Sequence, residues 1–175
     1  MFIRPDVNIL EDAIEQYNPC GILIIPYDNP TGDFMTQEQL ISLAQLCVKH
    51  DLRLLSDEAY RELAYATDAM SSVWKLDERC VPGITGRRIA IESASKVWNA
   101  CGLRIGALVT DNSLFHEKAV AEQTANLCAN VLGQYMYAAL LDESYESLQL
   151  WYVQQRNYYK TLAKDLRYGL LQALP

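Results

Sequence analysis

Apolar side chains along this chain follow two rhythms, one helical and one continuous. Leu10, Ala13, Ile14 and Tyr17 fall on one face of a helix that Asn18-Pro19 stops. Gly21-Ile22-Leu23-Ile24-Ile25 follows as a short unbroken apolar run, the pattern of a strand covered on both faces. Thr36 and Gln39 form a capping box ahead of a second helix, whose apolar face is Leu40, Leu43, Ala44 and Cys47. Leu52-Arg53-Leu54-Leu55-Ser56 predicts a second strand, Arg88-Ile89-Ala90-Ile91-Glu92 a third, and Ile105-Gly106-Ala107-Leu108-Val109 a fourth. From Ser113 onward the pattern is helical and ends in a long amphipathic stretch, Leu148 to Leu171.

Strand, helix, strand with helices long enough to cross over means parallel pairing. Only about a dozen residues separate the third and fourth strands, too few for a crossover helix, so that pair should be antiparallel. The expected fold is α/β: a mostly parallel sheet with helices on both faces and one antiparallel strand.

Composition narrows the class. The chain has 175 residues, half of them hydrophobic and 21% charged, which excludes a disordered or low-complexity protein. A chain of this length buries roughly 70% of its unfolded surface. Fifteen basic against 22 acidic side chains leave a net charge of −7, which speaks against nucleic acid and anionic membrane as partners. No apolar stretch approaches the ~20 residues of a membrane span, and Met1-Phe2-Ile3-Arg4-Pro5-Asp6 lacks a signal-peptide pattern. A soluble cytoplasmic protein is expected. The five cysteines contain no C-x-x-C pair and the two histidines lie far apart, so buried reduced thiols are expected and a metal site is not.

Candidate chemistry collects where the strands end. In open α/β sheets ligands bind beyond the carboxyl ends of the parallel strands. The first strand runs into Tyr27-Asp28-Asn29-Pro30-Thr31-Gly32, the second into Asp57-Glu58-Ala59-Tyr60, and the third into Ser93-Ala94-Ser95-Lys96. An antiparallel fourth strand would bring Arg104 to the same edge. Taken singly, each piece has a plainer role. Asn-Pro-Thr-Gly makes a turn, Asp57 can cap a helix, and Tyr60 can be a half-buried core phenol. Ser93 and Ser95 can cap the next helix, Lys96 can be a solvated surface charge, and Arg104 can pair with Glu92.

In this order the pieces resemble the class I/II aminotransferases, the fold-type-I enzymes that use pyridoxal phosphate. The matching text is Asn29-Pro30-Thr31-Gly32, Ser56-Asp57-Glu58-Ala59-Tyr60, and Ser93-x-Ser95-Lys96 with Gly102-Leu103-Arg104-Ile105-Gly106 behind it, and the resemblance runs from about residue 5 to about residue 142. It implies pyridoxal 5'-phosphate as cofactor, with an amino acid and a 2-oxo acid as substrates. Lys96 would be the Schiff-base lysine and proton shuttle, an amine that must be neutral for part of the cycle. Asp57 would sit on the pyridine nitrogen and keep the ring an electron sink. Tyr60 and Asn29 would donate to the ring's phenolic oxygen, and the Asn29-Pro30 bond is a candidate cis peptide. Arg104 would fork onto the phosphate, with hydroxyls from Ser93 and Ser95. Trp98 is assigned to packing, Asn99 to no role, and Tyr65, Tyr135 and Tyr137 to packing by default.

Members of that family carry a further segment before the equivalent of residue 1 and a small domain after the equivalent of residue 175. Residues 1–142 are therefore expected to form part of a cofactor-binding large domain, and residues 143–175 a helix leading toward a small domain. At least one strand edge should be bare, which favours self-association; the full-length family is usually dimeric. Alternatives in other classes are a catalytically silent fragment or interaction protein that retains the fold, and a lyase of the same fold that shares Lys96, Asp57 and Tyr60.

Overall fold

The computed structural model describes residues 7–65, 70–126 and 128–174. The opening segment 1–6, which lacks a signal-peptide pattern, lies outside them. Four strands form one sheet in the order β1-β2-β3-β4: β1 Gly21–Ile24, β2 Arg53–Asp57, β3 Arg88–Ser93 and β4 Gly106–Thr110. The pairs β1-β2 and β2-β3 are parallel, and β3-β4 is antiparallel, as the short connection required. Gly106 stands opposite Ser93, and a Cβ there would lie 2.8 Å from the Glu92 carbonyl oxygen. Only a glycine lets the antiparallel strand begin so close to the end of β3.

Helix α1 (Val7–Tyr17) ends as Asn18 turns left-handed at φ 45°, its N–H reaching the Ile14 carbonyl at 2.9 Å. Helix α2 (Gln37–Lys49) starts at the predicted capping box. Gln39 N–H donates to Thr36 Oγ1 at 3.3 Å, and Thr36 N–H to Gln39 Oε1 at 2.8 Å. This satisfies donors that a helix start otherwise leaves open. The α2 face Leu40, Leu43, Ala44, Leu46 and Cys47 is buried against Ile24, Leu54 and Ala90 of the sheet, with Ile14 of α1 in the same cluster. Each fully buried leucine of this kind contributes roughly 1.5–3 kcal/mol.

Register puts Leu23, Leu55, Ile91 and Leu108 on the opposite sheet face. Ile89 is buried there, whereas Leu23 is 63% and Leu108 48% exposed. Among the described residues β1 and β4 are both edge strands. Helices α3 (Ala94–Val97), α4 (Ser113–Ala125), α5 (Val131–Ala138) and α6 (Tyr145–Ala173) complete the chain. Gly133 in α5 sits so close to the 101–105 segment that a Cβ would fall 2.6 Å from the Leu103 carbonyl oxygen.

Helix α6 docks only by its first half. Trp151 donates its indole N–H to the Val97 carbonyl at 2.9 Å and stacks on Trp98 at 6.3 Å, with the Tyr152 ring 5.1 Å from Trp98. Trp98 is thus a packing residue, as expected. From residue 160 to 174 every side chain is exposed. All five cysteines are free thiols, but only Cys47 is buried; Cys20, Cys101 and Cys128 lie exposed on connections, which corrects the expectation of buried thiols. Burial pushes the Cys47 thiol up to about 12. No helix among the described residues is long and apolar enough to cross a membrane.

Candidate active site

Parallel pairing brings the exits of β1, β2 and β3 to one edge of the sheet, and the antiparallel register adds the start of β4. The β1 exit folds back on itself through a bridge between Tyr27 and Phe34, whose rings lie 5.4 Å apart. Asp28 N–H donates to the Asp33 carbonyl at 2.9 Å, and Gly32 N–H to the Asp28 carbonyl at 3.0 Å. Asp28 Oδ2 accepts from the Thr31 hydroxyl, Gly32 has φ 73°, and the Asn29-Pro30 peptide is cis. Asn-Pro-Thr-Gly is therefore a turn, and the same turn carries Asn29 exposed at its tip. Its base is held by Tyr27, whose buried hydroxyl donates to the Ser71 carbonyl at 2.7 Å and accepts from the Ser71 N–H at 3.0 Å. Burial raises the Tyr27 phenol above its ordinary range.

At the β2 exit Asp57 Oδ1 accepts from Ala59 N–H at 3.1 Å, closing a tight turn rather than capping a helix. Tyr60 stands half-buried beyond it. Asn29 Nδ2 donates to Tyr60 Oη at 3.1 Å, joining the first two exits. At the β3 exit Ser93 caps α3 by accepting from Ser95 N–H at 3.1 Å, so Lys96 lies within that single turn. Lys96 Nζ stands 5.6 Å from the centre of the Tyr60 ring, joining the third.

Asn29, Tyr60, Ser95 and Lys96 line one cavity of about 470 Å³, within the size range of small-molecule sites. Asp57, Ser93 and Arg104 stand outside that lining. The Asp57 and Ser93 side chains close local turns, and Arg104, exposed and left-handed at φ 53°, donates from Nη1 to the Cys101 carbonyl at 2.9 Å. Arg104 does not take Glu92 as its partner either; Arg61 does, at 2.8 Å. Lys96 is itself exposed, so these walls alone do not dry the amine.

The structure adds residues that the linear pattern does not mark. Tyr65 and Phe34 line the cavity, as do Asn99 and, from α6, Tyr159. Asn99 is left-handed at φ 53° and donates to Gln155 Oε1 at 3.0 Å, while its own Oδ1 accepts from the Tyr159 hydroxyl at 3.4 Å. Proximity to Lys96 is the one sequence signal for Asn99. Tyr159 has none, because only the docking of α6 brings it to the rim.

Beneath the rim lies a charged network. The fully buried Glu58 carboxylate accepts from Arg61, Ser72, Val73 N–H and Ser56. Arg61 also meets Glu92 and, at 3.9 Å, Glu62, which in turn faces Arg156 of α6 at 3.5 Å. Burial raises the Glu92 and Glu62 carboxyls above their ordinary range, and Arg61 offsets this only in part. Burial opposes the charge on Arg61, but Glu92 and Glu58 together hold its guanidinium above its ordinary value.

Comparison with known proteins agrees with this architecture. The family model "Aminotransferase class I and II" matches residues 3–173. The 2-aminoadipate transaminase of Thermus thermophilus is 29% identical over 174 residues, 98% of this chain and 42% of that protein. Kynurenine–oxoglutarate transaminase 3 of Rattus norvegicus is 32% identical over 124 residues, 70% of this chain and 26% of its own length. Among solved structures, N-succinyldiaminopimelate aminotransferase from Mycobacterium tuberculosis superposes with a TM-score of 0.80 at 25% identity, over 96% of this chain and 41% of that one. The chain thus spans less than half the length of each of these relatives. Since the family model and the superposed fold both reach across nearly all of its residues, the chain belongs to the class I and II aminotransferases.

Proposed function

We propose that this chain carries the lysine-bearing part of a pyridoxal-5'-phosphate-dependent aminotransferase, which moves an amino group between an amino acid and a 2-oxo acid. The observation that supports it best is the meeting of a primary amine, a phenol and an amide from three strand exits in one cavity. That donor set suits the aldehyde and phenolic oxygen of the cofactor, whose ring, when bound, supplies the electron sink for chemistry at the substrate Cα.

The chain's own residues then divide the work. Lys96 would hold the cofactor through its Nζ and then carry a proton between the substrate Cα and the cofactor's C4′, as a positioned base does. Asn29 donates into Tyr60 Oη, which leaves the Tyr60 O–H free to donate to the phenolic oxygen. Asp57, at the end of β2, would hold the proton on the ring nitrogen. Ser93, Ser95 and Arg104 would serve the phosphate, Arg104 by exchanging its bond to the Cys101 carbonyl for a charge-assisted one. Residues 1–142 would be part of the large domain and 143–175 its connecting helix, a division that the undocked second half of α6 supports.

The test is an absorbance spectrum of the chain with pyridoxal phosphate, repeated for Lys96→Ala, followed by borohydride reduction and mass spectrometry. A new band that needs Lys96 and leaves a covalent adduct on Lys96 is expected. A folded chain with no Lys96-dependent band would overturn the assignment of cofactor capture to these residues.

A further inference from the structure

Two of the rim groups, Tyr60 and Lys96, arrive on different strand exits and stand 5.6 Å apart, ring centre to Nζ. Backbone pairing of the two exits ends where Glu58 N–H donates to the Ile91 carbonyl at 3.0 Å, so beyond it the register of Tyr60 and Lys96 rests on side chains. We propose that Arg61 is that positioning residue: its guanidinium bridges Glu58 and Glu92 and so sets the distance from Tyr60 to Lys96. This deepens, and rests on, the assignment of Tyr60 and Lys96 to one cofactor site.

Arg61 Nη1 lies 2.5 Å from Glu58 Oε2 and 2.8 Å from Glu92 Oε1. Glu58 follows β2 directly and Glu92 lies within β3, so one nitrogen ties both carriers together. Glu58 cannot swing. Its carboxylate is fully buried and also accepts from Ser56 Oγ at 3.2 Å, Ser72 Oγ at 2.7 Å and Val73 N–H at 2.8 Å. Glu58 and Arg61 stand on either side of Tyr60 in the chain, which pins the turn carrying the phenol at both ends. Glu92 precedes the Ser93 cap that sets the direction of the Lys96 turn. Arg61 is outside the cavity lining, so it acts through Tyr60 and Lys96 rather than on a ligand.

Charge and shape both favour arginine here. An exposed ion pair would contribute little, but the fully buried Glu58 loses much if its cation is removed. Nη1 alone meets both carboxylates and the Ser72 hydroxyl, 3.4 Å away, while Nε faces Glu62, a span that an ammonium, a single point charge, does not cover. Glu62 at 3.9 Å, with Arg156 beyond it, also faces Arg61 and links the bridge to α6.

The test is nuclear magnetic resonance on the chain without cofactor. A cross-peak between the Tyr60 ring protons and the Lys96 ε-protons, assigned by its absence in Lys96→Arg, reports their proximity directly. Arg61→Met should abolish it in folded protein, and Arg61→Lys should restore it in part. Glu92→Ala cuts only the β3 end of the bridge, leaves the buried Glu58–Arg61 pair intact, and should also abolish the cross-peak; it decides the question if Arg61→Met fails to fold. A merely structural Arg61 would lower the unfolding midpoint and leave the cross-peak of the folded fraction at wild-type intensity, and that result overturns the proposal. The borohydride adduct, measured in parallel, separates the two ideas. Its absence in the wild type would sink the cofactor assignment while the cross-peak still judged the bridge.

Discussion

Removing one oxygen atom from Tyr27 should cost about as much as truncating a large core side chain. In Tyr27→Phe the ring keeps its place against Phe34, but the Ser71 N–H and carbonyl both lose the hydroxyl that now serves them at 3.0 and 2.7 Å. Ser71 is 0% exposed and Tyr27 8%, so water does not readily replace the lost partner. An orphaned buried group costs about 1–3 kcal/mol, which for the two together gives roughly 2–6 kcal/mol. At about 2–4 °C per kcal/mol for a chain of this size, the melting temperature should fall by roughly 4–24 °C. Ser71→Ala is the control. It removes only the hydroxyl bond to the Met35 carbonyl and should cost about 1 kcal/mol. The assay is urea unfolding followed by circular dichroism, with the midpoint shifting at constant slope. The same loop carries Asn29, so capture of pyridoxal phosphate should weaken alongside stability. A Tyr27→Phe midpoint within about 0.5 kcal/mol of wild type would refute the reasoning, because it would mean Ser71 is hydrated or paired elsewhere.

Two further outcomes follow from the charges and from α6. Asp77 is held down to about 2, first by Arg79, and Glu78 to about 2, first by the Thr85 side chain and then by the Gly83 and Thr85 N–H groups. Depressed carboxyls stabilise the fold above their ordinary values of 3.8 and 4.5, and that stability drains away as pH falls toward 2. Glu62 and Glu92, raised by burial, act in the opposite sense: their contribution is complete below 4.5 and is lost as pH rises through their folded values. Thermal unfolding scanned across pH should therefore peak near about pH 5, and Glu78→Gln should flatten the acid limb; a midpoint that rises steadily below pH 4 would contradict this. Trp151→Phe keeps the stack on Trp98 but deletes the bond to the Val97 carbonyl, costing about 1 kcal/mol. Hydrogen exchange should then quicken along α6 and in the Lys96 turn, and unchanged protection at both would show that α6 does not brace that turn.

Much of this protein was legible from the chain before folding was considered. Local rules set the four strands, the capping box at Thr36 and Gln39, the Asn18-Pro19 stop and the antiparallel last pair, because each depends on spacing within a few turns or on a connection too short for a crossover. The order of strand exits also marked the rim, and with it Asn29, Tyr60 and Lys96, since parallel strands must end on one side. Tertiary structure decided what local spacing cannot encode. It gave Glu92 to Arg61 instead of Arg104, through a buried Glu58 whose need for a cation is visible only once its burial is known. It brought Tyr159 to the cavity beside Asn99, for α6 reaches the rim by packing Trp151 on Trp98 rather than by any periodicity of its own. Spacing along the chain determines which elements form; which side chains meet is set by the desolvation and pairing that packing imposes.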